Sequence, residues 1–232
     1  LCVAGYSRQT EAELVATLLS RRPDGVVLTG IQHAPALKKT ILNAATPVVE
    51  IWDLTPTPLD MLVGFSHEKV GLAIGEYLCR KGYQKPALIW TDDNRAARRR
   101  AGLVEVLDKV GICLTGCVHA ALPATLERGR LGAGELLAAG VCDVIICSSD
   151  TLAQGAIMEA EARGMKVPED VAVIGFGDLD FAAWNRPSIT TVGIDRRGMG
   201  ERAAAMLAER IAGEPCKTPV MDLGFRLFER DS

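Results

Sequence analysis

Arg95, Arg98, Arg99 and Arg100 crowd together just after the apolar run Ala87–Thr91. Guanidinium forks pair bidentately with a carboxylate or phosphate, and the start of a helix adds a favourable dipole for an anion. The cluster therefore reads as an anion or polyol clamp. The plainer reading is a solvated helix face, where most arginines of such a run belong. A second set of polar residues sits where apolar runs stop. Asp53 follows Val48–Trp52, Ser149 and Asp150 follow Asp143–Cys147, and Asp178 and Asp180 follow Val171–Ile174 after Gly175 and Gly177. Asp195 and Arg196 follow Ile189–Ile194. In open α/β sheets the carboxyl ends of strands form the ligand crevice.

These groups suggest binding rather than catalysis. Gly175-x-Gly177 lacks the third glycine of a dinucleotide loop and ends a late strand. There is no G-x-x-x-x-G-K-[ST] loop and no G-x-S-x-G elbow. Cys113 and Cys117 have metal-like spacing but no second pair to complete a tetrahedral site. His33, His67 and His119 are scattered, and His67 reads as a capping or crossover residue that opens a helix. No nucleophile–base pair is evident, so no enzyme activity, metal or cofactor is expected.

The composition suits a soluble α/β protein. Hydrophobic residues make up 48% of 232 residues, enough for a sizeable core. A net charge of −3 provides no surface for nucleic acid. No apolar run approaches the ~20 residues needed to cross a bilayer. The seven cysteines are odd in number and mostly sit in apolar segments, which favours a reduced, cytoplasmic setting.

The elements that must position these residues alternate along the chain. Strands are expected at Leu1–Gly5, Val26–Thr29, Pro47–Ile51, Met61–Phe65, Ala87–Thr91, Asp143–Cys147 and Val171–Ile174. A strand at Ile189–Ile194 and a single last strand over Val220–Phe228 complete the set. Helices are expected at Thr10–Arg22, Pro35–Ala45, His67–Lys81, Arg95–Val110, Thr125–Ala139, Asp150–Arg163 and Arg196–Ala212. This rhythm predicts parallel sheets with helices on both faces. Asp150 reads as a helix N-cap.

The segments SSDTLAQGAIMEAEARGMKVPEDVAVIGFGD and PVVEIWDLTP resemble the effector-binding core of the lactose/galactose-repressor family of bacterial transcription regulators. The second segment is most similar to gluconate-operon-repressor-like members. The resemblance covers nearly the whole chain. It implies two Rossmann-like subdomains with parallel sheets, of the type I periplasmic-binding-protein-like class, closing around an effector. The N-terminal subdomain would take residues 1–65 and 196–218, and the C-terminal one residues 66–195 and 219–232. The family's helix-turn-helix head, hinge helix and first strand–helix unit are not found in these residues, so this chain should not bind operator DNA specifically.

The resemblance also assigns roles. In RRAGL it places effector binding on Arg99, with Asp93 and Arg95 lining the same pocket, and it puts Asp53, Ser149 and Asp195 in the cleft. Many members carry an acid directly after the aromatic of the GF segment. Here Gly177 stands there and Asp178 comes one residue later, so either Asp178 binds the effector in its place or the pocket lacks that carboxylate. A pocket without that fixed acid, with Arg95, Arg99 and Arg196 nearby, suits an anionic effector. The expected ligand is a sugar or sugar acid such as gluconate, and the expected assembly is a homodimer. A periplasmic-type sugar-binding protein of the same architecture is the alternative.

Overall fold

A computed structural model describes residues 1–5, 7–140, 142–216 and 218–232. The chain divides into two compact units. The first comprises Leu1–Ser66 and Asp195–Gly224, and the second His67–Ile194 and Phe225–Ser232.

In the first unit, α1 (Arg8–Ser20), β1 (Val26–Thr29), α2 (Pro35–Ala44), β2 (Val48–Ile51) and β3 (Met61–Gly64) follow one another. They are joined later by α7 (Arg196–Ile211) and β9 (Val220–Asp222). The sheet order is β1-β2-β3-β9, with every pair parallel. Val15, Val26, Leu28, Leu37, Ile41 and Val48 pack together beneath α1 and α2. β3 is buried along its length, as a parallel strand covered on both faces must be. β1 alternates buried and exposed residues, leaves Val27 in solvent, and forms the outer edge of the sheet.

The second unit holds α3 (His67–Lys81), β4 (Pro86–Thr91), α4 (Asn94–Lys109), β5 (Gly116–Ala120) and α5 (Leu126–Ala139). It continues with β6 (Val144–Cys147), α6 (Asp150–Ala162), β7 (Ala172–Gly177), β8 (Thr190–Gly193) and β10 (Arg226–Phe228). The order is β10-β8-β7-β6-β4-β5. All pairs are parallel except β10 against β8. From β4 the chain passes to β5 on one side and then to β6 on the other. That reversal is the switch point at which α/β sheets open a crevice.

Four sequence expectations change. Leu1–Gly5 forms no strand and pairs with nothing described, and Leu1 and Val3 are exposed; an apolar run needs a neighbour to become a strand. β5 was not anticipated, because GCVHA is short and half-exposed at a sheet edge. The single last strand is two, β9 and β10, separated at Gly224. Residues 219–224 therefore belong to the first unit, since β9 pairs with β3. Finally, Ser149 rather than Asp150 is the N-cap of α6.

Candidate functional site

The parallel order β7-β6-β4 aligns three strand ends in the second unit: Gly177, Cys147 and Thr91. Hydrogen bonds tie the last two together. Ser148 Oγ accepts from Thr91 N at 3.2 Å and lies 3.1 Å from Thr91 Oγ1. Thr91 Oγ1 donates to Asp93 Oδ2 at 2.9 Å. Asp93 Oδ1 caps α4, accepting from the backbone N–H of Arg95 at 3.1 Å and of Ala96 at 2.9 Å. Asp93 is thus the device that starts α4 at the crevice.

One turn into α4 lies Arg99, which is 4% exposed although it carries a full charge. Its Nη1 lies 3.0 Å from His67 Nδ1, and its Nη2 donates to Ser148 O at 3.2 Å. The guanidinium carbon sits 3.9 Å from the Phe176 ring centroid and 5.8 Å from that of Trp90. Cation–π attraction of this kind strengthens where water is excluded. Trp90 is itself fixed, its Nε1 donating to Ala96 O at 2.9 Å. Of the four clustered arginines only Arg99 is buried; Arg95, Arg98 and Arg100 are half-buried.

The other expected residues fall as follows. Ser149 Oγ accepts from Leu152 N at 3.3 Å, one strand over from Asp93. Asp150 is buried and ties β8 to the segment after β7, accepting from Thr191 Oγ1 at 2.5 Å and from Leu179 N at 2.7 Å. Burial pushes its carboxyl above the usual range, against the pull of those two bonds. Asp178 has φ +48 and pairs with Arg230 at 2.7 Å. Its charge is thereby matched within the protein. In the first unit, Asp53 is buried after β2 and Trp52, and its Oδ1 accepts from Leu54 N at 2.7 Å. Asp195 caps α7 by accepting from Gly198 N at 2.8 Å, and both it and Arg196 are exposed. Arg99, Asp93, Arg95, Ser149 and Asp178 therefore share one unit, while Asp53, Asp195 and Arg196 share the other.

His67 was read only as a capping or crossover residue, and its contact with Arg99 escaped that reading. Its partner lies 32 residues away, and nothing local announces the contact. A groove of about 450 Å³ beside α4 is lined by Trp90, Asp92, Arg100, Val104 and His119 and does not include Arg99. The thiols of Cys117, Cys142 and Cys147 are all pushed up, chiefly by burial, so none offers a thiolate near neutral pH. Among the described residues, no three His, Cys, Asp or Glu side chains are placed to hold a metal ion.

A family described as periplasmic binding protein-like domain matches residues 76–232. The chain is 34% identical over 231 residues to the HTH-type transcriptional regulator GntR of Pseudomonas aeruginosa, covering 98% of this chain and 67% of that protein. A LacI family transcriptional regulator from Silicibacter pomeroyi superimposes with a TM-score of 0.91 at 29% identity, covering 100% of this chain and 86% of that one. The chain belongs to the LacI family of transcriptional regulators. Within that family, the transcription regulator GntR from Chromobacterium violaceum is 35% identical with a TM-score of 0.93, over 98% of this chain and 84% of that structure. The α/β fold with parallel sheets in two units is that of the LacI effector domain. No helix among the described residues is long and apolar enough to cross a membrane.

Proposed function

We propose that this chain is the sensor of a LacI-family regulator and that its effector is a small sugar acid, gluconate or a related aldonate, gripped by Arg99. The observation that carries this reading is the buried Arg99 guanidinium, stacked on Phe176 and held by two other elements. A planar group with five N–H donors can hold protein partners and a carboxylate at once. The pairing of Asp178 with Arg230 supports an anion, because it leaves less uncompensated negative charge at the end of β7. The resemblance of PVVEIWDLTP to gluconate-operon-repressor-like members supports the same ligand class.

Asp93 and Ser149 act chiefly by shaping the helix starts at this edge, with Arg95 flanking it. Asp53, Asp195 and Arg196 are the first unit's own candidate ligand-binding residues. Ligand occupancy is passed to operator DNA through a helix-turn-helix head of the kind named in the HTH-type relatives. The sensor works as a homodimer. Leu126 and Leu131 on α5, Met158 on α6 and Trp184 after β7 are exposed apolar residues of the second unit available for that contact.

Titration calorimetry with gluconate, galactonate and glucose tests the reading. The acids should bind and glucose should not compete. Arg99→Ala should lose ~1.5–3 kcal/mol of affinity, the range for hydrogen bonds to charged groups. Preference for the neutral sugar, or unchanged affinity in the variant, would remove the charge argument.

A further inference from the structure

We infer that His67 is a positioning residue for Arg99: its neutral imidazole, with Nδ1 as acceptor, sets the plane in which the guanidinium meets the effector. The inference rests on the effector reading above and adds to it the group that aims the arginine.

The chemistry of the contact fixes the imidazole's state. A guanidinium has donors only and stays charged in proteins. His67 Nδ1 lies 3.0 Å from Arg99 Nη1, so that nitrogen must offer its lone pair. The ring is then neutral and carries its proton on Nε2. His67 is 2% exposed, so water does not share the task. Its ring also lies 6.2 Å from that of Phe176, the residue beneath the guanidinium.

The backbone fixes the distance. α3 and α4 touch main chain to main chain at the turns that carry the two residues. A Cβ on Gly71 would fall 1.9 Å from Arg99 O, and one on Gly102 would fall 2.4 Å from Glu68 O. Neither position admits a side chain without moving a helix. The separation of His67 from Arg99 is therefore set by two rigid elements rather than by flexible side chains. Ser148 O, after β6, takes the other end of the fork at 3.2 Å. Helix start, strand end and aromatic face together leave the guanidinium little rotational choice. Preorganisation of this kind lowers the ordering cost of binding.

The test uses the whole chain and two readouts. Long-range ¹H–¹⁵N correlation of the imidazole should show His67 with a protonated Nε2 and a bare Nδ1 near neutral pH. An Nδ1–H ring would overturn the contact outright, whether or not any ligand binds. Gluconate calorimetry then compares His67→Asn, which restores an acceptor, with His67→Leu, which does not. His67→Leu should weaken binding ~10-fold or more, the scale of leaving a buried charged group without an acceptor. His67→Asn should recover most of that loss, with melting temperatures reported for both. Equal weakening in the two variants, or none in His67→Leu, would overturn the positioning role. If the unmodified chain binds no aldonate while the ring shows the expected tautomer, the effector reading falls and the His67–Arg99 bond stands as a structural one.

Discussion

At the scale of single residues, His33 is held between two carboxylates. Its Nδ1 lies 2.9 Å from Glu11 and its Nε2 3.1 Å from Glu50, with the imidazole side chain 1% exposed. Burial pulls its pKa down, but hydrogen bonds and charge from both glutamates outweigh that and raise it to about 9. A folded-state pKa above the unfolded 6.5 means a stabilising contribution that is full below pH 6.5. It is lost as pH rises through about 9. The shift corresponds to roughly 2–4 kcal/mol. His33→Gln should remove it, so the stability gap between the two proteins should be wide at pH 6 and narrow by pH 10. A gap constant across denaturation curves at both pH values would show that His33 is not charged in the fold. Arg99 was legible in advance as the arginine that the resemblance singles out in RRAGL, and it is the one of the four that the fold buries. The partners of His33 and His67 were not, since they lie 17 to 32 residues away and only the tertiary fold brings them close.

At the scale of elements, strands and helices were legible wherever apolar periodicity was long, and helix starts were legible to within two residues. α3 matches its expected span of His67–Lys81, and Gly82 follows it at φ +81. What could not be read was pairing: the edge strand β5, the division of β9 from β10, and the failure of Leu1–Gly5 to find a neighbour. The cap of α6 illustrates the same difficulty, because Ser149 and Asp150 are both good capping residues and only packing decides between them. Asp150 is drawn instead towards Thr191 and Leu179. Ser149→Ala should therefore cost ~1 kcal/mol of stability, as cap removal typically does, measured by urea denaturation. Gly102→Ala acts on a different joint. Its Cβ would meet the backbone of α3, so it should destabilise by about 1–3 kcal/mol through overpacking. An alanine there as stable as glycine would mean that the two helices can part without penalty.

At the scale of the molecule, each unit has its own sheet and core. The second unit offers exposed Trp184, whose loop is anchored to α6 by Gln154 donating to Asn185 at 3.0 Å. A large rigid aromatic in solvent is a typical interface anchor. Light scattering over a concentration series should show a dimer, and Trp184→Glu should shift it towards monomer while leaving the melting temperature of dilute protein unchanged. A wild-type monomer at high micromolar concentration would remove the homodimer for this chain. The first unit has the opposite character, with Val27 exposed on the outer strand β1. Open edges of this kind invite pairing with other chains.

The division of the chain also constrains how such a sensor can be recombined. The backbone passes between units at residues 66–67, 194–195 and 224–225, so neither unit is one continuous stretch of the gene. A cut at any single point yields two pieces, at least one of them with an unfinished sheet. Residues 67–194, however, enter and leave as one uninterrupted cassette carrying Arg99, His67, Phe176 and every strand of the second sheet except β10. Grafting a new specificity onto this scaffold is therefore an internal replacement with two junctions, plus a third at 224–225. The short tail 225–232 must be exchanged with it, because Arg230 brings the counter-charge for Asp178.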